Sequence, residues 1–334
     1  MKSLMEDLME PDAFPDKTES ITLIQTHISM VYIADSFVYK IKKAVNFGFL
    51  DFSTLEKRQH YCHQEINLNK RLAKTLYLDV LPVLFDGQKH RIAKSDRDGD
   101  VVDYAVRMKK ISEQMLMKSL FDRNELTGKH LQDLAHLLNQ FHTTSEHSSQ
   151  INEFGKPNMF RINTDENFEQ TQKYINTTIP KKDFKAIKEW TNDFYDNNQE
   201  LFFDRIKNNK VRDCHGDLHM EHICLEDPIA IFDCIEFNDR FRYTDTLADI
   251  AFLLMDLEYR GGQTFSDTLW HLYSDVSGDK NMDSLLTFYK VYRAYVRGKV
   301  NSFQIDDEQI TSDKKEEAIQ IAKRYFQLAK SYIA

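Results

Sequence analysis

The sequence predicts an α+β protein of two lobes: a small antiparallel-sheet lobe with one helix over residues 1–110, then a larger, mainly helical lobe over 111–334. Three observations lead there. Up to about Lys110 the apolar residues come in short runs of β-branched and aromatic residues separated by turn formers. Beyond it they recur at helical spacing. The length of 334 residues and the apolar share of 41% allow two modest cores.

The first lobe opens with ITLIQTH, MVYIA and FVYKIKKAV, the last two separated by Asp35-Ser36. LDVLPVLF, the turn Asp86-Gly87 and QKHRIAK read as a hairpin, and VVDYAVRM adds a further strand. Between these strands STLEKRQHYCHQEINLNKRLAK has helical character, with Ser53-x-x-Glu56 as a capping-box start. The lobes are expected to join near residues 107–112. Helical patterns follow in QMLMKSLF, HLQDLAHLLNQFH, ENFEQTQKYI and FKAIKEWTNDFYDN. HICL and IAIFDCI interrupt them as extended segments, and FSDTLWHLYSDV, LLTFYKVYRAYVRGKV and EEAIQIAKRYFQLAKSYI end the chain as helices.

A net charge of −9 argues against a nucleic-acid partner and suits a cationic substrate without locating a pocket. MKSLMEDLMEPD has no apolar core of a secretory signal, and no apolar run reaches the ~18 residues that span a bilayer. Cys62, Cys214, Cys224 and Cys234 lack CxxC spacing, which fits a reduced, cytoplasmic setting. No membrane association and no obligate protein partner are expected.

The chemistry lies in two stretches. On the helix after Ser53, Tyr61, Glu65, Leu68 and Leu72 share one face, so Glu65 falls in an apolar stripe. A carboxylate there either reaches water at the stripe's edge or needs a cation. In FVYKIKK, alternation puts Val38, Lys40 and Lys42 on one face. Lys40 is the candidate partner, and Lys42 is expected at a solvated edge. A strand lysine fixed by a helix glutamate is what a kinase-type nucleotide site requires, because the lysine holds phosphate oxygens. The second stretch is HGDLHMEHICLEDPIAIFDCIEFND, residues 215–239. His215, His219 and His222 have the spacing of zinc ligands on a helix, but Gly216 and the extended runs that follow argue against a helix. In the other reading Asp217 is a catalytic base on a loop, and Asp233, sixteen residues later, is a metal ligand at the end of an apolar hairpin.

This ordered set resembles the aminoglycoside phosphotransferase-like branch of the protein-kinase-like fold. The resemblance runs through QTHISMVYIADSFVYKIKKAVNFGFLDFSTLEKR, CHQEINLNKRL, RDCHGDLHMEHICL, IFDCIEFNDRFRYTDTLADIAFLLMDLE and YKVYRAYVRGKV. It implies a two-lobed kinase fold, ATP and Mg2+, with Lys40 as the phosphate-holding lysine and Glu65 as its helix partner. It further implies Asp217 as the catalytic aspartate, Asp233 as the metal aspartate, and a hinge over Ala105–Lys110, including Arg107 and Met108, that takes the adenine. The family's usual metal-binding asparagine, five residues after the catalytic aspartate, is His222 here, a ligand better suited to Mn2+ than to Mg2+. The loop covering the phosphates, Thr26–Ser29, has no glycine, so its hydroxyls and amides are expected to make the contacts. The chain has no GxxxxGK[ST], so the P-loop domain fused to some relatives is not expected.

Glu236, Asn238 and Arg240, with Arg242 and Asp245, either line an acceptor pocket or cap the loop. Asp249 is expected to hydrogen-bond the catalytic loop, and His142 to be a satisfied histidine near a helix end. Arg293 and Arg297 share a helix face and either meet solvent and acids or bind an anionic group. The expected activity is ATP-dependent phosphorylation of a hydroxyl on a small molecule, sugar-like, nucleoside-like or an amino alcohol. The alternatives are a nucleotide-binding pseudokinase with a regulatory role, a protein kinase and a zinc hydrolase.

Overall fold

The structure is a computed structural model that describes residues 3–307 and 310–334. In chain order it begins with a helical turn α1 (Leu4–Asp7), strands β1 (Thr22–Gln25), β2 (Ser29–Ile33) and β3 (Phe37–Lys42), and helix α2 (Leu55–Asn69). Strands β4 (Tyr77–Phe85), β5 (His90–Ile92) and β6 (Asp100–Lys109) and helix α3 (Met117–Asp122) follow. Then come α4 (Gly128–Thr144), α5 (Ser149–Glu153), α6 (Pro157–Thr171), α7 (Lys181–Asn197) and α8 (Gln199–Lys207). The short strands β7 (Val211–Asp213), β8 (Ile223–Cys224) and β9 (Ala230–Ile231) lead to α9 (Asp239–Arg242) and β10 (Tyr243–Asp245). Helices α10 (Thr246–Tyr259), α11 (Gln263–Ser277), α12 (Asp283–Phe303) and α13 (Ser312–Ser331) close the chain. Two compact units result: residues up to Glu125 with Glu221–Asp239, and Leu126–Met220 with Arg240–Ala334.

The first unit is one antiparallel sheet of order β1-β2-β3-β6-β4-β5. Its strands alternate because side chains of period two separate to opposite faces. Tyr39 and Ile41 pack with Phe14, Leu81, Val83 and Ala105. Val38 joins Cys62, Ile66, Val106 and Met108 beneath α2, so Lys40 and Lys42, which share Val38's parity, also face α2. The helix begins one residue later than the capping box suggests. Thr54, not Ser53, is the N-cap and accepts from Lys57 N, while Ser53 bonds Asp51. The buried stripe of α2 comprises Arg58, Cys62, Glu65, Ile66, Leu68 and Asn69, with Tyr61 only half-buried. Three of these are polar. Arg58 is answered by Asp103 at 2.9 Å and by the Phe52 carbonyl at 3.2 Å. Residues 221–239 attach through the β8–β9 hairpin, where Leu225 N donates to Met115 O at 2.8 Å and Ile231 N to Leu72 O at 3.3 Å.

The second unit is helical around Phe168, Ile187, Phe252, Met255, Tyr295 and Phe326. Close approach of α12 and α13 depends on Gly298, where a Cβ would meet the Phe326 ring at 2.8 Å. No helix among the described residues is long and apolar enough to cross a membrane. All four cysteines are free and buried; burial pushes the Cys62 thiol up to about 12.

Candidate active site

Glu65 is the centre of the first unit's polar cluster. It is fully buried and gives one carboxylate oxygen to each of two lysines: Oε1 lies 2.9 Å from Lys40 Nζ and Oε2 lies 2.6 Å from Lys42 Nζ. Lys40 also reaches Asp233 Oδ1 at 2.5 Å, and Lys42 also bonds Glu236. The result is an alternating chain Glu236–Lys42–Glu65–Lys40–Asp233. Burial opposes the charges of Lys40, Lys42, Glu65 and Glu236, and its balance against the partners decides each outcome. For Lys40, attraction to Asp233 and then Glu65 overcomes burial and holds the ammonium well above its usual range. For Glu65, the two lysines overcome burial and hold the carboxyl below its usual value. For Glu236 burial wins, and its carboxyl is raised.

Lys42 corrects the sequence expectation of a solvated edge: its side chain has no exposure at all. The alternation that placed Lys40 toward α2 places Lys42 there equally, and Phe52, 4.8 Å from its Nζ, closes the remaining side.

Asp233 follows β9 in the left-handed backbone region, φ 61°. That region disfavours most side chains and is held where surrounding structure over-determines it. Here Asp233 N donates to the Tyr77 hydroxyl at 3.2 Å, Cys234 N to Asn69 Oδ1 at 2.8 Å, and Phe232 N to the His222 carbonyl at 3.0 Å. The second carboxylate oxygen of Asp233 lies 3.5 Å from His222 Nε2. A half-exposed carboxylate suits a hard divalent cation with water completing its shell, and the imidazole suits Mn2+ more than Mg2+.

In the second unit residues 214–219 form an open loop, not the helix that zinc ligation by the three histidines would need. His215 N and Gly216 N donate to the Asp249 carboxylate at 3.0 and 2.8 Å, and Met220 N donates to Asp256 at 3.0 Å. Arg293 donates to the Gly216 carbonyl at 2.9 Å and to the Ala248 carbonyl at 3.0 Å. Gly216 has φ 84°, which only glycine adopts freely. Asp217 sits on this frame with its side chain partly exposed, 3.6 Å from His219. Asp249 bonds the loop as expected, and His142 is satisfied between Asp249 and Tyr273. Burial raises the Asp249 carboxyl, but the His142 contact prevails and leaves it lowered to about 2. Arg293 is buried and committed to carbonyls, whereas the Arg297 guanidinium lies over the Tyr325 ring at 5.6 Å.

Other expected site residues have different engagements. Arg107 pairs with Asp79 and Asp16, and both it and Met108 lie on β6, which is hydrogen-bonded to strands on both sides. Their backbone groups pair within the sheet. Thr26 Oγ1 accepts from Ile28 N and Ser29 N, closing the loop as a turn. The Ser29 hydroxyl is buried rather than presented to a ligand. Glu236 is consumed by Lys42, Asn238 donates to the Phe49 carbonyl at 2.9 Å, and Arg240 forms a two-pronged pair with Glu166. Arg242 pairs with Asp213, and Asp245 with Arg205. Each of these side chains thus has a partner within its own unit. Sequence reading missed Lys42, Tyr77, Asn69 and Arg293 as site supports; only Lys42 carried a signal, its shared parity with Lys40.

The family model described as "Phosphotransferase enzyme family" matches residues 50–285, and the chain belongs to that family. Among curated relatives, uncharacterised proteins of Mycobacterium tuberculosis and Mycobacterium bovis are 30% identical over 324 residues, 96% of this chain. The chain spans 62% of the length of those relatives. Among solved structures, a choline/ethanolamine kinase family protein from Mesorhizobium loti superposes with a TM-score of 0.50 at 12% identity, covering 94% of this chain and 93% of that one. The amicoumacin kinase hAmiN in complex with AMP-PNP, Ca2+ and Ami gives 0.52 at 11% identity, covering 92% and 88%. The fold is the two-lobed protein-kinase-like fold that these two kinases share.

Proposed function

We propose that this chain is an ATP-dependent O-phosphotransferase that phosphorylates a hydroxyl of a small molecule. The single observation that supports it most is the pairing of Lys40 with both Glu65 and Asp233. A phosphate-holding lysine needs a fixed buried anion behind it and a metal-binding carboxylate beside it. In this reading the first unit takes the nucleotide: Lys40 holds phosphate oxygens, Glu65 orients Lys40, and Asp233 with His222 holds a divalent cation, Mg2+ or Mn2+. The cation, when bound, neutralises charge on the transferred phosphoryl group. Asp217, on the loop held by Asp249 and Arg293, accepts the proton of the acceptor hydroxyl as its oxygen bonds the γ-phosphorus and the bond to ADP breaks. The adenine would meet backbone groups beyond Lys109. The acceptor is a sugar-like, nucleoside-like or amino-alcohol compound.

Calorimetry with ATP and Mg2+ or Mn2+, followed by a phosphoryl-transfer screen over these acceptor classes, tests the proposal. Binding and transfer are expected, with transfer lost in Asp217→Ala. Absence of ATP binding with either cation would overturn it. Binding that persists while every acceptor and ATP hydrolysis stay silent would favour the pseudokinase alternative.

A further inference from the structure

Lys42 has no place in the chemistry just described, yet it is the most enclosed cation of the first unit. Its ammonium is boxed by Glu65, Glu236 and the face of Phe52, and its side chain is wholly buried. It therefore cannot reach a phosphate. A lysine is a costly residue to bury, because taking an ammonium from water costs several kcal/mol that only well-placed anions offset. A leucine or methionine would fill the same volume without that cost. Something about Glu65 has to explain it.

Lys40 now holds two carboxylates at once, Glu65 at 2.9 Å and Asp233 at 2.5 Å. When a cation takes Asp233 and a phosphate arrives, the Lys40 ammonium is shared with new oxygens. Were Lys40 the sole partner of Glu65, each such exchange would leave a fully buried carboxylate short of its counter-charge. We propose that Lys42 is a positioning residue for nucleotide binding: anchored by Glu236, it keeps Glu65 ionised and in place so that Lys40 can exchange Asp233 for a phosphate. The assignment of oxygens agrees, since Glu65 uses Oε1 for Lys40 and Oε2 for Lys42, and neither lysine competes for the other's atom. An arginine at position 42 would not substitute, because its planar fork cannot direct donors to Glu65, Glu236 and an aromatic face from one point. The inference rests on the nucleotide-site reading above.

A double-mutant cycle separates this role from mere support of the fold. The affinity of the full chain for AMP-PNP with Mg2+ is measured by calorimetry for wild type, Lys42→Met, Glu65→Gln and the double variant. If Lys42 acts through Glu65, Lys42→Met weakens binding by about tenfold in wild type and by less than about twofold in the Glu65→Gln background. Equal weakening in both backgrounds, or no weakening in either, overturns the proposal. Should Lys42→Met lose its cooperative thermal transition, Lys42→Met/Glu236→Gln removes the whole outer pair without a net charge change, and the same cycle is read with it. Wild-type protein that binds no AMP-PNP defeats the nucleotide-site reading itself and this inference with it. Wild-type binding with additive losses defeats only the role of Lys42.

Discussion

The two units differ in what meets their key carboxylates. In the first, whose Asp233 backbone is also hydrogen-bonded to Tyr77 and flanked by the Cys234–Asn69 bond, the side-chain carboxylates of Asp233 and Glu65 are met by ammonium groups, in a chain where each charge answers its neighbours. In the second, the Asp217 loop is held by its backbone: two amides on Asp249, one on Asp256 and a carbonyl on Arg293. Ammonium groups can change partners as charges arrive, whereas backbone hydrogen bonds to buried groups fix a shape. The first arrangement suits a site that must receive a highly charged ligand. The second suits the role proposed for Asp217, a base that must stay where it is.

The sharpest way to break this contrast is Asp217→Ala. Phosphoryl transfer is expected to fall by about 10²–10⁴-fold while nucleotide affinity stays near wild type, read by coupled assay and calorimetry. A parallel loss of nucleotide affinity would show that the two units are not divided in this way. Next in size is Asp249→Ala, which strips two buried amides of their acceptor. It is expected to destabilise the fold by about 2–4 kcal/mol in urea denaturation.

The acid limb sharpens the same point. The Asp249 carboxyl is lowered from 3.8 to about 2 in the folded state, so its contribution is fully present above its unfolded value. It is lost as pH falls from about 4 toward 2, and the Asp249→Asn variant should lose less stability over that interval. Arg293→Lys removes the fork that joins the Gly216 and Ala248 carbonyls. A fall in kcat of about tenfold with little change in the KM for ATP is expected, since only the loop is loosened. The smallest effect belongs to neither site: Gly298→Ala should cost about 1–3 kcal/mol through the Phe326 ring and leave KM unchanged.

Much of this was legible in the residues, because alternation and helical spacing report burial directly. The strands of FVYKIKKAV, LDVLPVLF and VVDYAVRM, the hairpin between Asp217 and Asp233, and the encounter of Lys40 with Glu65 all follow from periodicity. What periodicity cannot carry is the identity of a partner far along the chain. Lys42 was read as exposed because Glu236, 194 residues away, was invisible to local pattern. For the same reason local pattern does not show that Glu236 pairs with Lys42 or that Arg240 pairs with Glu166. The capping box at Ser53 failed differently: Thr54 offered an equivalent hydroxyl one residue on, and the helix used it.

The burial of every cysteine has a practical corollary. Cys62, whose thiol burial pushes up to about 12, and Cys224, also raised, carry almost no thiolate at neutral pH, and all four sulfurs are enclosed. The folded protein thus offers a background silent to maleimide and iodoacetamide reagents. One cysteine introduced at an exposed position, such as Phe47 beside the Asn46–Asp51 bridge, would be the dominant labelling site for a fluorophore.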